Sequence, residues 1–433
     1  MRLVLIDGEH YPDVIRWAVE KIEDVCCAVF LGGSEKIGSI SEIERVIGVP
    51  VYHDKNYLRT IEKAIRENDI SEVIDLSDDP ILSYEDRFRI ASLLLRYGVT
   101  YKGADFEFKP RKMRKTKKPS LAVIGTGKRV GKTAVSGFVA RTIKEILKPI
   151  IVTMGRGGPE RPEVIYGDKF EITPEFLLKV AKEGKHAASD HFEDALMARV
   201  TTVGCRRCGG GMAGFSFFDI VEEGVKVAEE LDGELIILEG SGATFPRIRA
   251  DAYITVVGAT QKIQFIRGYF GPFRIGLADL VVITMSDIAS KKKVAAVKKA
   301  VETINPNADV HLTAFRPRLL KEAEGKAVLI MTAPKPALKR AAEHIEKHHN
   351  VEIVGMSPNL SNRQKLWRDL KHFRDYDVIL VELKAAAVDV VTKYALENGK
   401  EVIYLDNEPV NIDGKNLKKA ILNLTKNILE VKK

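Results

Sequence analysis

Short apolar runs alternate with stretches of helical spacing along the first 108 residues of the chain. The apolar runs are rich in valine and isoleucine, which is typical of buried strands, and they read RLVLI, VCCAVF, VPVY and SEVIDL. Helices are predicted near 12–23, 56–68 and 84–97, because apolar side chains recur there every three to four positions. This alternation predicts a small doubly wound parallel sheet over residues 1–108.

The same alternation continues after a basic segment at 109–119 and predicts two further α/β regions. Residues 120–325 contain the apolar runs LAVI, PIIVTM, GELIILE, ADAYITVV, LADLVVITM and ADVHLTAF. Residues 326–433 contain KAVLIM, NVEIVGM, YDVILVEL and KEVIYLD, each followed by a predicted helix. The basic segment reads KPRKMRKTKKP, which indicates a solvated linker between domains. The predicted fold class is α/β, with a central parallel-sheet domain flanked by two smaller doubly wound domains.

A phosphate-binding loop is predicted at 120–133, where SLAVIGTGKRVGKT reads as strand, glycine-rich loop and helix start. Glycines let backbone N–H groups surround phosphate oxygens, and the helix N-terminus adds partial positive charge. Lys132 is predicted to reach the terminal phosphates and Thr133 to bind Mg²⁺. The loop is one residue longer than usual, because Thr126 occupies the place of the first glycine. The predicted ATP-binding residues here are Gly125, Thr126, Gly127, Lys128, Arg129, Val130, Gly131, Lys132, Thr133 and Ala134.

The strand GELIILE ends in Glu239, which is predicted to hold Mg²⁺ with Thr133 or to accept a proton. A helix-capping or salt-bridged carboxylate is the alternative. Further along, Thr284-Met285-Ser286-Asp287 stands where related proteins carry the base-reading N-K-x-D. Because the asparagine and lysine are absent, ATP is favoured over a guanine nucleotide. Three residues are predicted to lie beside the base: Asp287, Phe315 and Arg316.

Two glycine-rich segments contain arginines and predict an anionic substrate. The strand PIIVTM runs into MGRGG, without the aspartate that many P-loop enzymes carry at this point, and a later segment reads VGCRRCGGG. Guanidinium groups suit phosphate oxygens, although exposed loop arginines are the alternative. Between the two segments, Asp190 and Glu193 have the spacing of a capping box at a helix start. The predicted substrate-binding residues are Arg156, Arg161, Arg206, Arg207, Gly209, Gly210 and, in the first domain, His10.

Composition adds little to this picture. The chain is 45% hydrophobic and 30% charged, and no apolar run reaches 18 residues, so we expect a cytoplasmic protein without membrane partners. The net charge of +8 suits an acidic ligand, and a nucleic-acid partner is supported by the linker alone. The four cysteines include one CxxC, Cys205 to Cys208, without a second pair. Buried or turn cysteines are therefore favoured over a zinc or redox site.

Polar loops in the flanking domains leave two questions open. The strand-end loop Asp7-Gly8-Glu9-His10 has two possible functions: it forms a second site or a lid, or it is an ordinary polar turn. In the last domain, dimerisation and an active-site wall are both open for the loop residues Asn359, Arg363, Glu382 and Lys384.

Five segments of the chain carry a family resemblance: LIDGEHYPDVI, GTGKRVGKTAV, VTMGRGGPERPEVI, VGCRRCGGGMAGFSFFD and LEGSGATFP. In these segments the chain resembles the cyclic 2,3-diphosphoglycerate synthetases of heat-loving methanogens. The resemblance implies a ligase that uses ATP to close a phosphoanhydride ring within 2,3-diphosphoglycerate, releasing ADP and phosphate. It further implies ATP and Mg²⁺ as cofactors and a homo-oligomer, expected to be a dimer; activation by potassium stays open. The implied catalytic residues are Lys132, Glu239, Arg156 and Arg206.

Two other functions compete with this one. The P-loop alone resembles that of dethiobiotin synthetase, so another ATP-dependent ligase acting on a carboxylate is the first alternative. The number of arginines argues against it. The second is an ATPase switch that binds a protein or RNA partner. Such proteins carry a signature lysine where this chain has Gly127, which argues against that class.

Overall fold

The computed structural model describes residues 1–36, 39–187, 189–384 and 386–431. The apolar runs of the sequence form its strands, and those predicted for residues 1–108 are all present. In chain order the strands are Arg2–Ile6 (β1), Val25–Phe30 (β2), Val51–Tyr52 (β3), Glu72–Asp75 (β4), Thr100–Lys102 (β5), Glu107–Phe108 (β6), Arg114–Lys115 (β7), Ser120–Gly125 (β8), Pro149–Gly155 (β9), Glu163–Tyr166 (β10), Thr201–Cys208 (β11), Phe218–Asp219 (β12), Leu235–Glu239 (β13), Ile248–Arg249 (β14), Ala252–Gly258 (β15), Leu280–Thr284 (β16), Asp309–Leu319 (β17), Glu324–Ile330 (β18), Asn350–Ser357 (β19), Val378–Glu382 (β20) and Glu401–Asn411 (β21).

The helices connect these strands, as expected for parallel pairing. They are Pro12–Val19 (α1), Ile40–Ile47 (α2), Tyr57–Glu67 (α3), Tyr84–Arg96 (α4), Lys132–Lys144 (α5), Pro174–Lys182 (α6), Asp190–Ala198 (α7), Val221–Glu230 (α8), Gln264–Arg267 (α9), Gly271–Gly276 (α10), Lys291–Ile304 (α11), Lys335–His348 (α12), Arg363–His372 (α13), Lys393–Glu397 (α14) and Leu417–Val431 (α15). A π-helical segment, Ala387–Thr392, precedes α14. No helix within the described ranges is long and apolar enough to cross a membrane.

The chain divides into two compact units. The first contains residues 1–112, 262–277 and 303–306, and the second contains residues 113–261, 278–302 and 307–433. The first unit holds a sheet of order β3-β2-β1-β4-β5-β6, parallel except for the pair β5–β6. Strand order reverses between β1 and β4, as in the predicted doubly wound arrangement.

The segment 262–277 joins the first unit through aromatic packing. The ring of Phe270 lies 5.3 Å from that of Phe88 on α4 and 5.1 Å from that of Phe108 on β6, both in edge-to-face geometry. Such pairs add to the burial of apolar area. The sequence did not indicate this membership, because nothing local to the segment identifies which core its phenylalanines enter.

The second unit is built on one large sheet of order β10-β11-β9-β13-β8-β15-β16-β17-β21-β20-β18-β19, with β12 paired to β11. The central strands β9, β13, β8, β15, β16 and β17 are parallel, so their carboxyl ends meet at one edge. Strands β8, β9, β13, β15 and β16 are buried on both faces, as their continuous apolar sequences require. The edge where the strands end carries the candidate site.

The predicted C-terminal α/β region continues this sheet. Strands β18 to β21 pair in parallel among themselves, as predicted, while β17 and β21 pair antiparallel from Thr313–Asn411 to Leu319–Leu405. Both strands are 11 residues long. The first part of β17 pairs with β16 and the first part of β21 pairs with β20, while the remaining parts pair with each other. A pairing between strands about ninety residues apart leaves no periodic signal in the sequence.

Candidate active site

The predicted phosphate-binding loop leads from the central strand β8 into α5, which begins at Lys132. Gly131 precedes the helix with φ +82°, and a Cβ added there would lie 2.2 Å from Cζ of Phe315. Only glycine meets both conditions without strain. Thr126, in place of the usual glycine, is buried and donates a hydrogen bond of 2.6 Å to Oε1 of Gln261. The loop therefore presents backbone N–H groups and a helix N-terminus to one space.

Lys132 and Glu239 form a buried ion pair beneath this loop. Nζ of Lys132 donates to Oε1 of Glu239 at 2.9 Å, and the two side chains are 8% and 0% exposed. Burial disfavours the charged ammonium, but the carboxylates of Glu239 and Asp190 outweigh it and raise the pKa of Lys132. Burial likewise opposes ionisation of Glu239, yet the charge of Lys132, followed by the nearby side chains of Asp194 and Thr133, lowers its pKa. The two residues thus hold opposite charges in a site largely closed to water.

Helix α7 adds acids that the sequence did not suggest as site residues. Its N-cap is Ser189, which makes no side-chain cap bond, so the predicted capping box of Asp190 and Glu193 is wrong. Both acids instead line a cavity of about 590 Å³ above the phosphate-binding loop. Burial raises the pKa of Glu193 to about 8, and burial followed by the charge of Glu239 raises the pKa of Asp194. The missed signal was the i, i+3, i+4 spacing of three acids on one helix face.

This cavity contains most of the predicted ATP-binding residues. Residues 127–134 line it, as do Asp287, Phe315 and Arg316, whereas Gly125 and Thr126 lie below in the strand and loop base. Arg316 donates to Asp287 Oδ2 at 2.8 Å, and the ring of Phe315 packs beside Gly131. The structure therefore brings the loop, Asp287 after β16, and Phe315 and Arg316 on β17 together in one cavity. That these residues bind a nucleotide stays a prediction.

The C-terminal strands supply another part of the cavity wall. Lys384 Nζ lies 3.9 Å from carboxylate oxygens of Glu193 and Glu382, and the charge of Glu193 raises its pKa. The backbone N–H of Thr332 donates to Glu382 at 3.0 Å. Glu382 and Lys384 thus line this cavity, which favours the active-site wall among the two functions left open for these loops. The other two polar residues make contacts away from it: Asn359 with Asp369, and Arg363 with Asp389.

One of the predicted substrate arginines lines the cavities, and two others donate hydrogen bonds to backbone carbonyl groups. Arg156 lines the main cavity and also a second cavity of about 360 Å³, which shares Asp190 and Ser241 with the first. Arg207 lies nearby and donates to the Ser241 carbonyl at 3.0 Å, while Nε of Arg206 donates to the carbonyl of Gly158 at 3.1 Å.

The remaining predicted substrate residues lie elsewhere. Arg161 is exposed and lines neither cavity. Gly209 and Gly210 follow β11 beside Phe217 and Thr244. His10 belongs to the first unit, where its Nδ1 is 2.8 Å from Asp7 Oδ1 and its Nε2 is 3.4 Å from Asp78 Oδ2. A substrate contact for these four residues stays a prediction.

In the part of the chain that the structure describes, the cysteines and the acids form no metal cluster by themselves. All four cysteines are free thiols, with Cys205 buried and Cys208 exposed. Within the described ranges, no group of three or more His, Cys, Asp or Glu side chains is arranged to hold a metal ion. Magnesium commonly uses only one or two carboxylates, a threonine hydroxyl and ligand phosphates, so Thr133 and Glu239 fit such a site. In support, Oε2 of Glu239 is buried without a hydrogen-bond partner.

A glycine-rich loop at the centre of a parallel sheet, with a buried lysine–glutamate pair beneath it, defines a P-loop protein of the nucleotide-binding class. The chain belongs to the cyclic 2,3-diphosphoglycerate synthetase family. Family models described as the P-loop, N-terminal and C-terminal domains of that synthetase match residues 120–314, 2–109 and 319–408. This confirms the resemblance drawn from the sequence, and the protein is an enzyme.

Archaeal relatives named cyclic 2,3-diphosphoglycerate synthetase match over nearly the full length. The Thermococcus sibiricus protein is 67% identical over 425 residues, covering 98% of each chain. The Pyrococcus furiosus protein is 58% identical over 432 residues, covering 100% of each. The Methanothermobacter thermautotrophicus protein is 49% identical over 429 residues, covering 95% of this chain and 92% of its own.

Among solved structures, LpxK from Aquifex aeolicus in complex with ATP is similar with a TM-score of 0.44. It is 13% identical, and the match covers 79% of this chain and 96% of that one. This score is too low to support a conclusion.

Proposed function

We propose that the enzyme uses ATP to convert 2,3-diphosphoglycerate into its cyclic phosphoanhydride, with release of ADP and phosphate. The observation that carries the proposal is the pair of adjoining cavities that share Arg156, Asp190 and Ser241. One cavity contains the phosphate-binding loop and suits a nucleotide. The other opens beside it and suits a small anion, so that the two substrates would meet at Arg156.

The proposed reaction has two displacement steps at phosphorus. A phosphate oxygen of the substrate first attacks the γ-phosphorus of ATP, and the bond to the β-phosphate oxygen breaks to release ADP. The first substrate phosphate now carries the former γ-phosphate as a leaving group. The second substrate phosphate attacks the phosphorus of the first substrate phosphate, which closes the ring, and the former γ-phosphate leaves as inorganic phosphate. No protein base is required, because phosphate oxygens are already anionic nucleophiles.

The protein's contribution is positioning and charge stabilisation. Lys132 supplies an ammonium at the helix N-terminus, and backbone N–H groups of the loop surround the phosphates. Thr133 and Glu239 would hold Mg²⁺, which neutralises charge on phosphate oxygens when bound. Arg156 counters the charges of the second anion. Together these groups would keep two polyanions in contact despite their repulsion.

The direct test is incubation of the wild-type protein with ATP, Mg²⁺ and 2,3-diphosphoglycerate, followed by phosphorus NMR. We expect resonances of a cyclic phosphoanhydride to grow at the rate at which ADP and inorganic phosphate appear. Omission of ATP should leave 2,3-diphosphoglycerate unchanged. ATP hydrolysis without a new phosphoanhydride resonance would contradict the proposed function and favour the ATPase alternative.

Replacing Arg156 by alanine should raise KM for 2,3-diphosphoglycerate by about 10- to 100-fold. The reason is the loss of a charge-assisted contact of about 1.5–3 kcal/mol, where 1.4 kcal/mol corresponds to tenfold. KM for ATP should change less, because the phosphate-binding loop remains. Initial rates measured against each substrate separately test this split. The control is Arg249→Ala, an exposed arginine on β14, and equal kinetics of the two variants would exclude Arg156 from substrate binding.

A further inference from the structure

Beneath the phosphate-binding loop lies a group of buried oxygens that hydrogen bonds do not account for. Within the described part of the chain, both carboxylate oxygens of Asp194, Oε2 of Glu239 and Oγ1 of Thr153 are buried without a hydrogen-bond partner. The side chains of Asp194 and Glu239 are fully buried, and Thr153 is 1% exposed. Buried polar atoms are nearly always satisfied in proteins, so several together call for a missing partner.

These oxygens converge on one place. Thr153 on β9 is the register partner of Glu239 on β13, so both side chains project from the same face of the sheet. The carboxylates of Asp194 and Glu239 lie within hydrogen-bonding reach of each other, and Thr133 lies within reach of Glu239. The hydroxyl and the two carboxylates therefore lie together in one buried region at the start of α5.

Two facing carboxylates in a buried space repel each other unless a cation or proton lies between them. Lys132 satisfies only one oxygen of Glu239 and makes no hydrogen bond to Asp194 among the described contacts. When both carboxyl groups are ionised, the negative charge of this region exceeds the positive charge that Lys132 supplies to it.

Strand β9 explains why a helix would provide the second carboxylate. The strand ends at Gly155 without the aspartate that many P-loop enzymes carry at this point. The acids of α7 approach this strand end instead: a Cβ added to Gly155 would lie 3.6 Å from Oδ2 of Asp190. Asp194 follows one helical turn later, on the same face of α7.

We infer that Asp194 is a ligand of the divalent cation, together with Glu239 and Thr133. The inference rests on the proposed function, because it assigns a further residue to the same nucleotide site. Two carboxylates, one hydroxyl and the phosphates of the nucleotide form an oxygen set that suits Mg²⁺ or Mn²⁺. Asp190 lies nearer the cavity opening and contributes negative charge there.

The test is Mn²⁺ binding by the full-length protein with ADP present, measured from the loss of the free Mn²⁺ signal in electron paramagnetic resonance. Asp194→Asn should weaken Mn²⁺ binding at least about tenfold, because a neutral amide replaces a coordinating carboxylate. Binding of metal-free ADP in EDTA should stay within about twofold of wild type. Glu222→Gln, an exposed carboxylate that pairs with Lys226 on α8, is the matched control.

Unchanged Mn²⁺ affinity in Asp194→Asn would overturn the inference and indicate that a shared proton or buried water satisfies these oxygens. Should the variant not fold, crystals of the wild-type protein with ADP and Mn²⁺ decide the matter by anomalous scattering. A manganese peak within coordination distance of Asp194 supports the inference, and a peak bound only by Thr133 and Glu239 overturns it. Neither measurement depends on cyclisation, so a wild-type protein that binds Mn²⁺ but forms no cyclic product refutes the proposed function alone.

Discussion

Replacing Lys132 by alanine is expected to lower the rate of ATP-dependent cyclisation by on the order of 10³-fold. Lys132 is the cation held at the helix N-terminus beneath the loop, and a lost charge-stabilising donor has an effect of this size in comparable sites. The loss should appear mainly in kcat, because the backbone N–H groups that bind the nucleotide remain. Phosphorus NMR or release of inorganic phosphate under saturating substrates measures the effect.

A control must separate catalysis from folding, because alanine leaves Glu239 buried without its partner. Breaking such a pair costs about 3–5 kcal/mol of stability. The double variant Lys132→Met with Glu239→Gln removes both charges and should fold more stably than Lys132→Ala, while remaining inactive. Lys144→Ala, at the end of the same helix, should retain wild-type rates. Substantial turnover by the folded double variant would contradict the assigned role of Lys132.

The sequence predicted the parts of the site that are local in the chain. Strand, loop and helix at 120–133 are contiguous, so their spacing alone identifies the phosphate-binding loop. Glu239 could be found because an acid after an apolar strand reaches the same sheet edge as the loop. The structure places this carboxylate 2.9 Å from Nζ of Lys132.

Residues that reach the site through tertiary packing escaped the sequence reasoning. Asp190 and Glu193 had the spacing of a helix cap, and only the orientation of α7 over the loop gives them a place in the cavity. Lys384 enters through the antiparallel pairing of β17 with β21, which has no local signature. For the arginines, the sequence offered several candidates without showing which of them line a cavity. Composition could not distinguish Arg156, which lines both cavities, from Arg161, which is exposed and lines neither.

Replacing Gly131 by alanine should destabilise the protein and weaken nucleotide binding. The backbone there has φ +82°, which costs an alanine about 1–2 kcal/mol. The new Cβ would also lie 2.2 Å from Cζ of Phe315, and such overpacking costs about 1–3 kcal/mol. We expect unfolding free energy to fall by about 2–5 kcal/mol in total and ATP affinity to fall at least about tenfold, as Phe315 is displaced towards the predicted base position. Denaturant titration and calorimetric ATP binding measure the two effects.

Gly137 provides the matched control, because it lies in the same helix with ordinary helical φ. A Cβ there would meet its nearest neighbours, Arg141 and Met197, at 3.4 and 3.7 Å, which is normal contact. Gly137→Ala should therefore stabilise the protein by about 0.5–1 kcal/mol through helix propensity and leave ATP binding unchanged. Adding Phe315→Ala to Gly131→Ala should remove the steric overlap but not the backbone strain. The measured loss of unfolding free energy in the double variant is compared with the sum of the losses in the two single variants. If it is not smaller than that sum, the Phe315 ring is not what excludes a side chain at position 131.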